Sequence, residues 1–167
     1  MNEILLVDKG AWLVTFMASF LIWIMFGGLL VLWLIDGRIK KEEALHAFLS
    51  ALLAWVIAEM LKNLIPSVRP FKTYGYAPLT FTVPTDNSFP SSHAAAVFAM
   101  AASVWLHDRR LGAVFTIGAV LTSLGRMLAN VHYLFDIVTG GALGVVSAVV
   151  VARLHLGKLI AGKQSKP

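Results

Sequence analysis

The sequence predicts an all-α fold, a polytopic membrane helix bundle of about five transmembrane helices with the N-terminus outside and the C-terminus cytoplasmic. Three observations predict it. Hydrophobic residues make up 58% of the chain and charged ones 14%, which is too apolar and too sparsely charged for a soluble globule of 167 residues. The stretch from Ala11 to Ile35 carries no charged residue and is long enough for a hydrocarbon core of about 30 Å, which takes roughly 20 apolar residues. The Lys and Arg residues fall in short clusters between apolar segments, the pattern that sets membrane orientation, and not on a nucleic-acid-binding face.

The first span follows from that uncharged run. Met1 to Gly10 holds Glu3 and Asp8 beside Lys9, unlike the basic start of a cleaved secretory signal, so the span is expected to be retained. Asp36 to Glu43 is a polar turn. A second helix follows from about Ala44 to Ile65, its exit marked by Pro66 and Pro70. Phe71 to Phe89, with Gly75, Pro78, Pro84 and several aromatics, has no sustained helical period and is expected to be an ordered loop. A third helix opens near Ser91 and stops at His107-Asp108-Arg109-Arg110, and a fourth runs from Leu111 to about Leu128. After a short connection, a fifth span begins near Asp136, its Gly140, Gly141, Ala142, Gly144, Ser147 and Ala148 permitting close helix approach. The whole chain, 1–167, is expected to be one membrane-embedded domain.

Five crossings place Arg38, Lys40, Lys41, Arg109, Arg110, Arg153, Lys158, Lys163 and Lys166 on one side, which the positive-inside rule makes cytoplasmic. Three constellations then share the outer boundary. Lys62 and Arg69 are seven residues apart, so both would face one cavity; alone, they are more simply interfacial anchors whose long side chains reach the headgroups. Glu59, one turn before Lys62, is expected to pair with a neighbouring cation such as Lys62. Ser91 and Ser92 follow Pro90 at a helix start, where free N–H groups and the dipole favour an anion, although either serine would equally serve as an N-cap. His93 sits in that first turn, within reach of whatever anion the helix end holds, and would protonate a departing oxygen. Arg126, His132 and Asp136 straddle the last outer connection. A carboxylate that accepts one ring N–H leaves the other nitrogen free to attack; an interfacial histidine satisfied by a carboxylate accounts for that pair equally well. His46, His107 and His155 fall at the cytoplasmic ends and are expected to take no part. The absence of cysteine removes thiolate nucleophiles, thiolate metal sites and disulfides.

In order and spacing these residues resemble the type 2 phosphatidic acid phosphatase family of integral-membrane lipid phosphate phosphatases. The first family motif, Lys, six residues, Arg-Pro, is met by Lys62 to Pro70. Pro90-Ser91-Ser92-His93 resembles Pro-Ser-Gly-His, and Gly125-Arg126 through His132 to Asp136 resembles Ser-Arg, five residues, His, three residues, Asp. The resemblance covers about 44–156. Two positions depart from it, Ser92 in place of Gly and Gly125 in place of Ser. Many members also have six spans.

The resemblance implies that Lys62, Arg69, Arg126, Ser91 and Ser92 bind phosphate, that His132 attacks phosphorus with Asp136 orienting it, and that His93 protonates the leaving oxygen. Water would then hydrolyse a phosphohistidine, with no metal or other cofactor. The expected partners are a lipid phosphate substrate and membrane lipids, with no nucleic acid. The site would lie on the extracytoplasmic side of a bacterial or archaeal plasma membrane. The run Asp86-Asn87-Ser88-Phe89-Pro90-Ser91-Ser92-His93 is similar to bacterial undecaprenyl-diphosphate phosphatases, which makes undecaprenyl diphosphate the first expected substrate and phosphatidic acid or phosphatidylglycerophosphate the alternatives. A binder or transporter of lipid phosphate would use the same cations without turnover. Transporters often carry inverted repeats and broken midplane helices, neither of which the sequence displays.

Overall fold

A computed structural model describes the backbone of residues 2–35 and 38–154 and the side chains of 9–35 and 41–154. The Asp36-Gly37 turn, the side chains of Glu3, Asp8, Arg38 and Lys40, and the tail with His155, Lys158, Lys163 and Lys166 lie outside the described residues. The described chain is helical throughout its regular structure, in seven elements: α1 (Asn2–Ser19), α2 (Leu21–Leu34), α3 (Arg38–Leu64), α4 (Pro70–Tyr74), α5 (Ser92–His107), α6 (Arg109–Leu128) and α7 (Leu134–Arg153).

Helix α5 is the central post, packed against α3, α6 and α7. Its alanines make that possible: Ala94, Ala95, Ala96 and Ala99 are fully buried. On α7, a Cβ at Gly140 would lie 2.4 Å from the Ser91 carbonyl oxygen, and one at Gly144 would lie 2.3 Å from that of Ala95. The two backbones touch, which only glycine permits there. Around this core the surface is apolar, with Trp12, Trp23, Leu64, Phe135 and Val146 all exposed, as expected of helices solvated by lipid tails.

One expectation is corrected, and a second is met in part. The first span is not one straight helix: α1 and α2 meet at a 47° bend. No Pro or Gly marks the break, and its polar partners come from elsewhere. Arg126 Nη1 donates to the Ala18 carbonyl (3.2 Å), and the Phe81 N–H donates to Ser19 Oγ (3.1 Å), so groups outside the helix engage its backbone and side chain where it kinks. The expected count of about five crossings is met in part. Among the described residues three helices, α3, α6 and α7, are long and apolar enough to cross, or four if the bent pair forms one span. Helix α5 runs between the expected limits but has 16 residues, against the roughly 20 that a full crossing takes. Within the expected loop, Pro70 at the first helical position and Gly75 in the left-handed region (φ 75°) bracket the short α4.

Candidate active site

Four helix ends meet on one side of the bundle. Lys62 lies in the last turn of α3, Ser91 caps the start of α5, Arg126 lies in the last turn of α6 and Asp136 in the first turn of α7. The antiparallel run of these helices brings them to one end, and the segment before Pro90 crosses over them. Ser88 N–H donates to the Ser67 carbonyl (3.1 Å), Phe89 N–H to Ser67 Oγ (2.7 Å) and Asn87 Nδ2 to the Lys62 carbonyl (2.8 Å). These bonds clamp the loop to the exit of α3.

His132 stands at the centre, 3% exposed. Its Nε2 is 3.3 Å from Arg69 Nη1 and 3.5 Å from Arg126 Nη2. A guanidinium only donates, so Nε2 presents its lone pair between two cations and the ring proton belongs on Nδ1. That nitrogen faces Asp136 Oδ2 at 3.4 Å, within ion-pair range and longer than a good hydrogen bond. Asp136 is itself fixed: the same oxygen accepts from the Ser88 hydroxyl (2.5 Å) and from the Tyr133 N–H (2.9 Å). Burial pushes the His132 imidazole down to about 4; Asp136 pulls it up, and the Arg126 and Arg69 charges push it down further. The ring is therefore neutral near pH 7, as a nitrogen nucleophile must be.

The cations are held by a carboxylate that the sequence reading did not single out. Asp86 Oδ2 accepts from Lys62 Nζ (2.8 Å) and Asp86 Oδ1 from Arg69 Nη2 (2.7 Å). Burial raises the Asp86 pKa, but the hydrogen bond and charge of Lys62 and the Arg69 guanidinium outweigh it and hold the carboxyl at about 2. Glu59 pairs with Lys62 as expected (3.0 Å). Asp86 and its neighbours Asn87 and Ser88 form a polar run in a loop otherwise rich in apolar and aromatic residues, and that contrast was the available signal.

Both departures from the family pattern have partners. The Ser92 hydroxyl donates to Glu59 Oε1 (2.5 Å), the same oxygen that pairs with Lys62. A Cβ on Gly125 would meet Ala18 N and Met17 Cβ at 2.7 Å; its absence lets α1 dock on α6 and lets Arg126 reach the Ala18 carbonyl. Arg126 Nε is buried with no hydrogen-bond partner, a donor left over for a ligand. Ser91 acts as the N-cap of α5, its Oγ accepting from the Ala94 N–H (3.4 Å).

His93 sits beside the cup, within electrostatic reach of Arg126, His132, Lys62 and Arg69. Its ring centroid is 5.3 Å from that of Trp55. Trp55 also lines an apolar cleft of about 770 Å³ between α2 and α3, with Trp23, Phe26, Trp33 and Phe48. The structure thus gathers Lys62, Arg69, His93, Arg126, His132 and Asp136 at one end, while His46 and His107 pair at the other. Among the described residues no three His, Cys, Asp or Glu side chains gather in a way that would hold a metal ion.

The model of the PAP2 superfamily matches residues 43–159. The bacitracin transport permease protein BcrC of Bacillus licheniformis is 27% identical over 138 residues, covering 83% of this chain and 68% of that protein. An undecaprenyl-diphosphatase of Sulfolobus acidocaldarius is 29% identical over 124 residues, 74% of this chain, which spans only 58% of that relative's length. The crystal structure of LpxE from Aquifex aeolicus superposes with a TM-score of 0.70 at 22% identity, covering 89% of this chain and 86% of that one, which shows a shared fold. With residues 43–159 matched, a span that contains all three motifs, the chain belongs to the PAP2 superfamily of membrane lipid phosphate phosphatases.

Proposed function

We propose that this protein hydrolyses undecaprenyl diphosphate to undecaprenyl phosphate and orthophosphate through a phosphohistidine on His132, at the extracytoplasmic face of the membrane. The observation that carries the reading is the His132 ring itself, its Nε2 lone pair set between Arg69 and Arg126 and its other nitrogen turned to Asp136. An anion drawn to the two guanidiniums arrives at the nucleophile. Nε2 attacks the terminal phosphorus, the P–N bond forms and the P–O bond to the lipid breaks. His93 gives its proton to the departing oxygen, then accepts one from the water that cleaves the phosphohistidine. Lys62, Arg69 and Arg126 hold the equatorial oxygens through these steps, supplying by fixed charge what phosphoryl transfer needs.

Trp55 supports a lipid leaving group. It connects His93 to the apolar cleft between α2 and α3, so the oxygen that His93 protonates would carry its tail into apolar surroundings. The name of the Sulfolobus relative supports the diphosphate, and the clustering of Arg109 and Arg110 at the opposite end from the site supports the outer face.

The test is phosphate release from undecaprenyl diphosphate, phosphatidic acid and phosphatidylglycerophosphate in detergent with EDTA present. The diphosphate is expected to have the highest kcat/KM. His93→Ala should lose least on it, because a lipid phosphate leaves more readily than an alkoxide. No release from the diphosphate, or a preference for either monoester, would overturn the substrate assignment.

A further inference from the structure

Arg69 has no donor to spare. Nε points to the Asp86 carbonyl (3.0 Å), Nη1 to the Val131 carbonyl (2.8 Å) and His132 Nε2 (3.3 Å), and Nη2 to Asp86 Oδ1 (2.7 Å) and the Asn87 carbonyl (3.0 Å). Lys62 Nζ is divided between Glu59 Oε1 (3.0 Å) and Asp86 Oδ2 (2.8 Å). Arg126 Nε is one free donor, but a phosphoryl group that Arg69 and Lys62 are also to hold must take donors already in use, and three of the acceptors around Arg69 are backbone carbonyls that cannot leave without moving the chain. The Asp86 carboxylate can. Its side chain is 43% exposed, against 7% for Lys62 and 1% for Arg69, and it rides on the loop rather than on a packed helix.

We propose that Asp86 is an exchange ligand of the phosphate site: its carboxylate holds Lys62 and Arg69 while the cup is empty, and phosphate oxygens take over both donors when substrate or product is bound. The proposal rests on the phosphatase reading of the cup. Its physical basis is that two buried cations left without counter-ions are costly, so a departing phosphate is released more readily if another anion takes its place. Asp86 is ionised at any working pH, being held at about 2, and is always ready to return. Asp136, by contrast, stays on His132 throughout, and Glu59 stays on Lys62 with Ser92 donating to it.

The full chain carrying Asp86→Asn tests this through the inhibition constant of orthophosphate against hydrolysis of a short-chain lipid phosphate. With the competing charge gone, that constant should fall about fivefold or more, with kcat lowered by slow phosphate release, and Asp86→Glu should return both toward wild type. An unchanged or larger inhibition constant would mean that Asp86 only braces the cations, and would overturn the exchange. If Asp86→Asn does not fold, the absence of cysteine allows a single spin label at the exposed Thr85 through Thr85→Cys in the otherwise intact chain. Saturating orthophosphate should then alter the label's mobility, and an identical spectrum with and without it overturns the proposal. Wild type that releases no phosphate from any lipid phosphate would instead sink the phosphatase reading itself.

Discussion

The bundle carries histidines at both ends of the same helices, and only one end is built for chemistry. At the far end, His107 Nδ1 is 2.8 Å from the Ser103 carbonyl and must donate to it, which leaves its Nε2 to accept from His46 Nδ1 at 3.1 Å. The lone pair of His107 is thus spent on a neighbouring imidazole. At the site end, the lone pair of His132 faces two guanidiniums at 3.3 and 3.5 Å, longer contacts than the one between the far imidazoles, and their charge draws an anion to it. Reactivity here comes from what surrounds the ring. The sharpest way to break the comparison is His132→Ala, which should lower kcat by about a thousandfold or more, measured as phosphate release under saturating lipid phosphate. Equal release from the variant would mean that the two ends do not differ as argued.

Arg69→Lys comes next in size. It keeps the charge but loses the planar fork that spans Asp86 and the edge of His132, so kcat/KM should fall about a hundredfold. A loss under threefold would show that charge alone defines the site end. The pH profile sharpens the same point more gently. Below its pKa His132 carries a proton on Nε2 and cannot attack, so kcat/KM should hold down to about pH 4 and then fall about tenfold per unit as acidity increases. A limb near the ordinary histidine value, for a substrate fully ionised there, would mean that the guanidiniums and burial do not act on this ring.

Much of the site end was legible because helix geometry fixes what a short spacing can reach. His132 and Asp136 straddle the start of α7, and Lys62 and Arg69 bracket the exit of α3, so motif order alone brought them together. Asp86 was not legible, because it meets Lys62 and Arg69 across 24 and 17 residues of chain without a helical period. The bend between α1 and α2 escaped for a related reason. A contact from Arg126 to Ala18, 108 residues away, sits at the break, with no Pro or Gly to announce it. Ser91 was legible only as a pair of alternatives, and of these the Ala94 N–H bond shows the cap.

Gly125→Ser follows in expected effect and would restore the residue usual in the family. Here its Cβ would press within 2.7 Å of Ala18 N and Met17 Cβ, and backbone cannot yield as a flexible side chain does. The melting temperature should drop, with a cost of about 1–3 kcal/mol, and activity should fall as Arg126 loses its tie to Ala18. A variant as stable and as active as wild type would show that α1 does not hold the site end together.

The smallest effect is expected where the comparison predicts none. His107→Gln replaces the imidazole that accepts from His46, at the exposed far end of α5, and a Gln side chain keeps both a donor and an acceptor there. The hydrogen bond at stake is worth about 1 kcal/mol or less at an exposed site, so thermal stability should shift slightly and kcat/KM should stay within about twofold of wild type. A large loss of turnover would require the far pair to act on the site through the length of α5. It would also end the claim that the two ends are independent, because α5 is the one helix that carries a histidine into each.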